Sequence, residues 1–148
     1  MGPLSLPVSG SIYLDANILI YTVERIDPFR LLLDPFWQEV SARSVTTLTS
    51  ELTILEVLTK PLRTGDVVLE GEFRKVLYSS PDVRLVPISQ AVLERAATIR
   101  ATHNLKTPDA IHAPTALVEG CATFVTNDPA FRRIPGMTVT VLDDLLAP

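Results

Sequence analysis

The chain has 148 residues, of which 47% are hydrophobic and 20% charged. This length fits one globular domain with its own core, and the composition excludes a disordered or low-complexity chain. The single cysteine, Cys121, cannot form an internal disulfide, and no Cys/His spacing is typical of a zinc site, so we expect an intracellular, cytoplasmic protein. A net charge of −4 argues against extended phosphate contacts with nucleic acid, although cations bound to carboxylates would change the local field.

The sequence shows no targeting signal and no membrane segment. Residues 1–10 lack the basic and apolar stretches of a signal peptide, and no apolar run approaches the roughly 20 residues that span a bilayer. We therefore expect no membrane association. We treat residues 1–10 as an N-terminal extension and residues 11–148 as one domain.

Short apolar runs alternate with helical patterns from the start of that domain. Residues 11–15 (SIYLD) predict a buried strand, followed directly by a helix at residues 16–24. Apolar residues at three- and four-residue spacing predict a second helix at residues 29–42. The β-branched segment 45–48 predicts the second strand.

The rest of the chain continues this alternation. Ser50 is predicted to cap a helix at residues 51–59, which should stop before Pro61. Further along, the predicted elements are helices at residues 66–79, 89–103 and 108–119, strands at 83–86, 123–125 and 138–141, and a helical turn at 129–133. In the helix at 89–103, we expect the apolar face to include Ala91, Leu93, Ala96, Ala97 and Ile99.

Strands that alternate with helices indicate right-handed crossovers and a parallel sheet covered on both faces. The expected fold is a three-layer α/β/α sandwich with about five parallel strands. In such sheets ligands bind beyond the carboxyl ends of the strands, near the point where the strand order reverses. Acidic residues at that edge are therefore candidate functional groups.

Three acidic residues stand out by position. Asp15 and Asp128 each follow an apolar strand, although aspartate is also favoured in ordinary turns. Glu56 lies in a helix of mostly aliphatic residues, where a buried carboxylate is costly unless it is paired or bound to metal. The alternative for Glu56 is an exposed ion pair with Lys60, four residues on.

A fourth acid, Asp109, follows Pro108 in the first turn of its helix, where the helix dipole alone would favour it. His112 shares its face, and the spacing allows a contact between Asp109 and His112. A lone histidine beside an apolar segment is more often structural, however, and we do not place His112 among the groups that would hold a cation. If the acids meet, two carboxylates about 5 Å apart repel by about 3 kcal/mol at an effective dielectric near 20. A cation would relieve this repulsion, and oxygen ligands favour Mg²⁺ or Mn²⁺.

Four segments resemble the sequence motifs of PIN-domain proteins, in the family's order and across most of the chain: residues 12–21 (IYLDANILIY), 49–58 (TSELTILEVL), 106–113 (KTPDAIHA) and 124–128 (FVTND). The resemblance implies a sheet flanked by helices and a metal-dependent ribonuclease active on single-stranded or loop RNA. Many small members of this family are VapC-type toxins of type II toxin–antitoxin pairs. The resemblance therefore also implies that the protein forms a homodimer and has a cognate antitoxin as its partner.

Carried over by position, the resemblance implies a set of catalytic and metal-binding acids: Asp15, Glu56, Asp109 and Asp128. The polar residues that would support them are Asn17, Thr126 and Asn127. The implied cofactor is Mg²⁺ or Mn²⁺, and hydrolysis of the family type would leave a 5′-phosphate. The sequence departs from the pattern at Pro114, where we predict a kink in the helix that carries Asp109.

Three other functions fit parts of the pattern. A haloacid-dehalogenase-like phosphatase has an aspartate after its first strand but needs a second one two residues later, where this chain has Asn17. A phospho-accepting receiver domain needs adjacent acids after the first strand, and these are absent from the sequence. A PIN-like domain that binds RNA or protein without cutting stays open as the alternative.

Overall fold

A computed structural model of the protein describes residues 2–148. Its strands are β1 (Ile12–Leu14), β2 (Thr47–Ser50), β3 (Val83–Val86), β4 (Thr123–Thr126) and β5 (Val139–Val141). Its helices are α1 (Ala16–Val23), α2 (Arg30–Arg43), α3 (Leu52–Thr64), α4 (Val67–Ser79), α5 (Gln90–His103), α6 (Thr107–Val118) and α7 (Leu142–Leu146). A 3-10 turn spans Pro129–Arg133. No helix within residues 2–148 has the length and hydropathy required of a membrane span.

The five strands form one parallel sheet in the order β3-β2-β1-β4-β5. The predicted α/β/α fold with five parallel strands is confirmed. The chain adds strands on one side of β1 and then returns to the other side with β4. The strand order therefore reverses between β1 and β4, and the crevice at this point is where such sheets bind ligands.

Two hydrophobic clusters fill the two sides of the sheet. Neighbouring residues of a strand point to opposite faces, so Ile12 and Leu14 of β1 pack with α1 to α4, whereas Tyr13 packs with α5 and α6. All three β1 residues are buried, which makes β1 the centre of the molecule. Asp15, which joins β1 directly to α1, therefore lies next to the core.

Part of the expected N-terminal extension lies against the domain. Leu4 is buried in the first cluster, and Leu6 packs on it. The backbone N–H of Gly2 donates to the carbonyl oxygen of Leu145 at 2.8 Å. The segment before β1 therefore contributes to the core.

The predicted end of α3 before Pro61 is wrong. The helix continues to Thr64 and ends at Gly65, whose φ of +70° is a left-handed conformation that glycine adopts at no steric cost. Pro61 removes one backbone donor, but its ring is buried, and its own carbonyl oxygen accepts from the N–H of Asp66 at 2.9 Å. Packing of the proline thus offsets the lost hydrogen bond.

Smaller differences concern β2, α5 and α7. Strand β2 lies two residues later than predicted, so Ser50 ends the strand, while its hydroxyl still accepts from the N–H of Leu52 at 3.1 Å. The buried face of α5 contains Val92, Ala96 and Ile99, at spacings of four and three residues. The other expected members of that face, Ala91, Leu93 and Ala97, are exposed. Helix α7 was not predicted.

Candidate active site

Asp15 is the first residue after β1 and caps α1. One carboxylate oxygen, Oδ1, accepts from the backbone N–H of Ile18 at 3.3 Å. The other, Oδ2, accepts from the hydroxyl of Thr126, the last residue of β4. Only 5% of Asp15 is exposed. Both oxygens are therefore held in place at the point where the strand order reverses.

Three of the four predicted acids line one cavity. Asp15, Glu56 and Asp109 surround a volume of about 40 Å³, together with Asn17 and His112. These acids come from the end of β1, from α3 and from the first turn of α6. A polar cavity of this size can hold a water molecule or an ion. The structure thus brings together side chains that are up to 94 positions apart in the sequence.

Asp128 lies beside this cavity without lining it. It caps the 3-10 turn, and its Oδ1 accepts from the N–H of Ala130 at 2.9 Å. Its own backbone N–H donates to Oγ1 of Thr126 at 3.0 Å. Because the Thr126 hydroxyl also donates to Asp15, this one side chain connects the turns that carry Asp15 and Asp128.

The other two supporting residues have different positions. Asn17 lines the cavity and is exposed. Asn127 does not line it, and its Oδ1 instead accepts from the backbone N–H of Asp143 at 2.8 Å, at the start of α7. Asn127 therefore holds the C-terminal helix against the end of β4.

Burial makes negative charge in the cavity unfavourable. It raises the pKa of Asp15 to about 6, even though the hydrogen bond from Thr126 favours the carboxylate. It also raises the pKa of Asp109, and the nearby charge of Asp128 adds to that effect. A cation would lower the free energy of the ionised carboxylates.

Glu56 makes a contact that the sequence did not predict. Its Oε1 lies 2.6 Å from Nε2 of His112, which is only 2% exposed. Nδ1 of the same ring lies 2.6 Å from the hydroxyl of Tyr13 in β1. The alternative pairing with Lys60 is absent from residues 2–148, because Lys60 Nζ contacts Glu24 Oε1 at 2.8 Å.

Sequence reasoning therefore missed His112 and Tyr13. The available signals were the position of His112 one helical turn after Asp109 and a polar aromatic residue inside an apolar strand. Neither signal indicates which groups Tyr13 and His112 bond to, because their hydrogen-bond partners come from segments at least 37 residues away.

The cavity fits a divalent cation by the chemistry of its donors. Carboxylate oxygens without cysteine favour Mg²⁺ or Mn²⁺ over Zn²⁺. Within residues 2–148, however, no three acidic, histidine or cysteine side chains are placed closely enough to hold a metal ion as they stand. A site with three protein ligands would thus require at least one side chain to move.

The protein has a parallel sheet with acidic residues that follow its central strands, β1 and β4. It therefore falls in the class of α/β domains that carry a carboxylate site where the strand order reverses. Within this class, the family model for the PIN domain matches residues 12–137, and the chain belongs to this family. No curated protein sequence gives a significant match.

Several solved structures share the fold. A toxin–antitoxin complex from Klebsiella pneumoniae contains a chain with 26% identity and a TM-score of 0.67, aligned over 89% of this chain and 98% of that one. The VapBC2 complex of Rickettsia felis, bound to a DNA fragment from its promoter, gives 20% identity, a TM-score of 0.68 and coverages of 88% and 98%. VapC20 of Mycobacterium tuberculosis, a toxin that cleaves the sarcin–ricin loop, gives 17% identity, a TM-score of 0.68 and coverages of 82% and 93%. At 20% and 17% identity, the likeness to the last two structures shows a shared fold and nothing more.

Proposed function

We propose that the protein is an endoribonuclease that depends on Mg²⁺ or Mn²⁺ and hydrolyses phosphodiester bonds in single-stranded or loop RNA. The observation that carries this proposal is the meeting of Asp15, Glu56 and Asp109 in one polar cavity. Membership of the PIN-domain family supports nuclease chemistry at this position. A solved structure of the same fold belongs to a toxin that cleaves the sarcin–ricin loop, which makes loop RNA the first substrate to test.

In the proposed reaction, Asp15 and Asp109 would hold the cation, and Asp128 would complete a second site or bind through water. When bound, the cation supplies a water of lowered pKa and neutralises charge that develops on the phosphate. Glu56 would contribute to cation binding and would orient the attacking water for in-line displacement. Thr126 would keep the Asp15 carboxylate in place through its hydroxyl. The products would be a 5′-phosphate and a 3′-hydroxyl.

We also propose that the protein is the toxin of a type II pair, acts as a homodimer and is blocked by an antitoxin. The support is the 26% identity to a chain of a toxin–antitoxin complex over 98% of its length. Co-expression with the product of the adjacent gene should yield a stable complex that lacks cleavage activity. Light scattering on the isolated protein should give a mass near twice 16.2 kDa. A monomeric mass would contradict the homodimer.

RNA cleavage in the presence of Mn²⁺, Mg²⁺ or EDTA tests the enzyme proposal. Asp15→Asn and Asp109→Asn should each lower the cleavage rate roughly 100-fold or more, because each removes a charge that would hold the cation. Asp66→Asn is the matched control, since Asp66 also caps a helix but is exposed and remote from the cavity. Cleavage that is unchanged in EDTA would refute metal dependence.

A non-catalytic PIN-like domain that binds RNA or protein is the second candidate. It is favoured by the lack of a preformed three-ligand group within residues 2–148. The two functions differ in one measurement. A binding domain would retain RNA or partner without cutting it, and Mn²⁺ would leave its melting temperature unchanged.

A further inference from the structure

A continuous series of hydrogen bonds runs from the end of β2 to the acidic cavity. The backbone N–H of Ser50 donates to the hydroxyl of Tyr13 at 3.0 Å. That hydroxyl contacts Nδ1 of His112, and Nε2 of the same ring contacts Oε1 of Glu56, both at 2.6 Å. The series links β2, β1, α6 and α3, which are far apart in the sequence.

The partners determine which ring nitrogen of His112 carries the proton. Tyr13 is fully buried, and its oxygen already accepts from Ser50. A neutral imidazole has one donor and one acceptor nitrogen, so a phenol that donates to Nδ1 leaves Nε2 to donate to Glu56. This tautomer gives every polar atom of the series a partner.

The hydrogen bond from His112 restricts the position of the Glu56 carboxylate. Its side chain is 28% exposed, so in isolation it would move among several rotamers. Repulsion from Asp15 and Asp109, which line the same cavity, would favour rotamers that point away from them. The hydrogen bond from His112 opposes this tendency and holds Oε1. Within residues 2–148 its other oxygen, Oε2, makes no hydrogen bond.

We propose that His112 is a positioning residue that holds the Glu56 carboxylate in the acidic cavity, and that Tyr13 acts through His112 by fixing its ring and tautomer. This inference rests on the proposed function, because Glu56 has to act on a cation or on its water for its position to matter. It adds two buried residues to a site otherwise made of carboxylates. His112 touches neither substrate nor cation in this role.

A purely structural role for His112 makes a different prediction. A histidine that only satisfies core polar atoms would change stability when it is replaced, and it would leave cation binding unaffected in the folded protein. Thr115 provides the matched control, because it is fully buried one turn further along α6, and within residues 2–148 its hydroxyl bonds only to the carbonyl oxygen of Ile111, at 2.6 Å. Thr115→Val should lower stability and leave Mn²⁺ affinity unchanged.

The test measures Mn²⁺ affinity by titration calorimetry on full-length variants whose fold is verified by circular dichroism. His112→Ala should weaken Mn²⁺ binding about tenfold, as loss of a group that orients a metal ligand commonly does. Tyr13→Phe keeps both His112 and Glu56 and should show a smaller loss. His112→Gln should recover part of the affinity, since its amide N–H can still donate to Glu56.

A double-mutant cycle distinguishes a role through Glu56 from a general effect. In a Glu56→Gln background, His112→Ala should change Mn²⁺ affinity by less than about twofold, because the group that it positions is already altered. An equal tenfold loss in both backgrounds would overturn the proposal, as would wild-type affinity of His112→Ala. If His112→Ala does not fold, wild-type affinity of both His112→Gln and Tyr13→Phe would overturn it.

Wild-type binding separates this inference from the proposed function. If the wild-type protein binds Mn²⁺ and the His112 variants bind it equally well, only the positioning role fails. If the wild-type protein binds no Mn²⁺, the proposed function fails, and the positioning role fails with it. The cleavage rate of each variant at saturating Mn²⁺ provides the second readout, and there too the effect of His112→Ala should vanish in the Glu56→Gln background.

Discussion

Replacing Asp15 with asparagine should stabilise the metal-free protein at neutral and alkaline pH. Burial raises the pKa of Asp15 from its ordinary 3.8 to about 6. At about 1.4 kcal/mol for each tenfold change in proton affinity, this difference corresponds to about 3 kcal/mol. Ionisation of Asp15 therefore destabilises the folded state by about that amount when no cation is bound.

The direction of the pH dependence follows from the raised pKa. The folded carboxyl binds its proton more tightly than the unfolded one, so its contribution to stability is complete below about pH 4 and is lost as the pH rises through about 6. Asparagine does not ionise and avoids this loss. Compared with the protonated carboxyl, its amide group has one additional buried N–H beside Ile18 and Thr126, which costs about 1 kcal/mol.

Together these effects predict a change of sign. We expect Asp15→Asn to be about 1 kcal/mol less stable than wild type at about pH 4 and about 2 kcal/mol more stable at about pH 8. Urea unfolding in EDTA across this range measures the difference. Added Mn²⁺ should raise the melting temperature of wild type and leave that of the variant unchanged, because a ligand stabilises only the state that binds it.

The control for this experiment is Asp66→Asn. Asp66 caps α4 through a hydrogen bond of 3.0 Å from the N–H of Leu69, but it is exposed. Its substitution should change stability by less than about 0.5 kcal/mol at every pH. If the difference between Asp15→Asn and wild type does not vary with pH, the reasoning about buried charge in this cavity is refuted.

Two further predictions concern the acidic cavity, and a third concerns the turn that ends α3. Asp109→Asn should raise the melting temperature of the metal-free protein at alkaline pH, because burial raises the pKa of Asp109, and should abolish cleavage; retained cleavage would remove Asp109 from the mechanism. Thr126→Val should cost about 1–3 kcal/mol in urea unfolding and weaken Mn²⁺ binding about tenfold, whereas wild-type values would show that its hydroxyl is dispensable. In Gly65→Ala the added methyl group has free space, so only the φ of +70° should matter. We expect the free energy of unfolding to fall by about 1 kcal/mol and cleavage to stay unchanged; unchanged stability would contradict this.

The fold was predictable because local patterns and global packing agree for most elements. Ser89 and Asp66 cap α5 and α4 through their side chains, and the apolar run before Asp15 forms the central strand. The prediction failed at Pro61, where burial of the ring in the core outweighs a local rule about proline in helices. Packing energies of this kind depend on residues distant in the sequence, and a local pattern does not contain them.

The site was predictable at the level of charge and position. Acids after β1 and in α6 had to approach each other once the strand order was known, and the structure places Asp15 and Asp109 in one cavity. The hydrogen bonds were not predictable. Asn127 bonds to the start of α7, and His112 bonds to Glu56. These contacts depend on side-chain directions that only the packed structure defines.

Helix α6 packs into the hydrophobic core through three short side chains. Ala110, Ala113 and Ala116 are all buried in the cluster beneath the sheet, so the helix lies close to its neighbours. This helix carries Asp109 and also His112, the partner of Glu56, whereas Asp15 follows the central strand β1. A larger side chain at any of these alanines would displace both groups together and separate the acids, although no acid had been replaced. The spacing of the carboxylates is thus encoded partly in residues that have no polar atoms in their side chains.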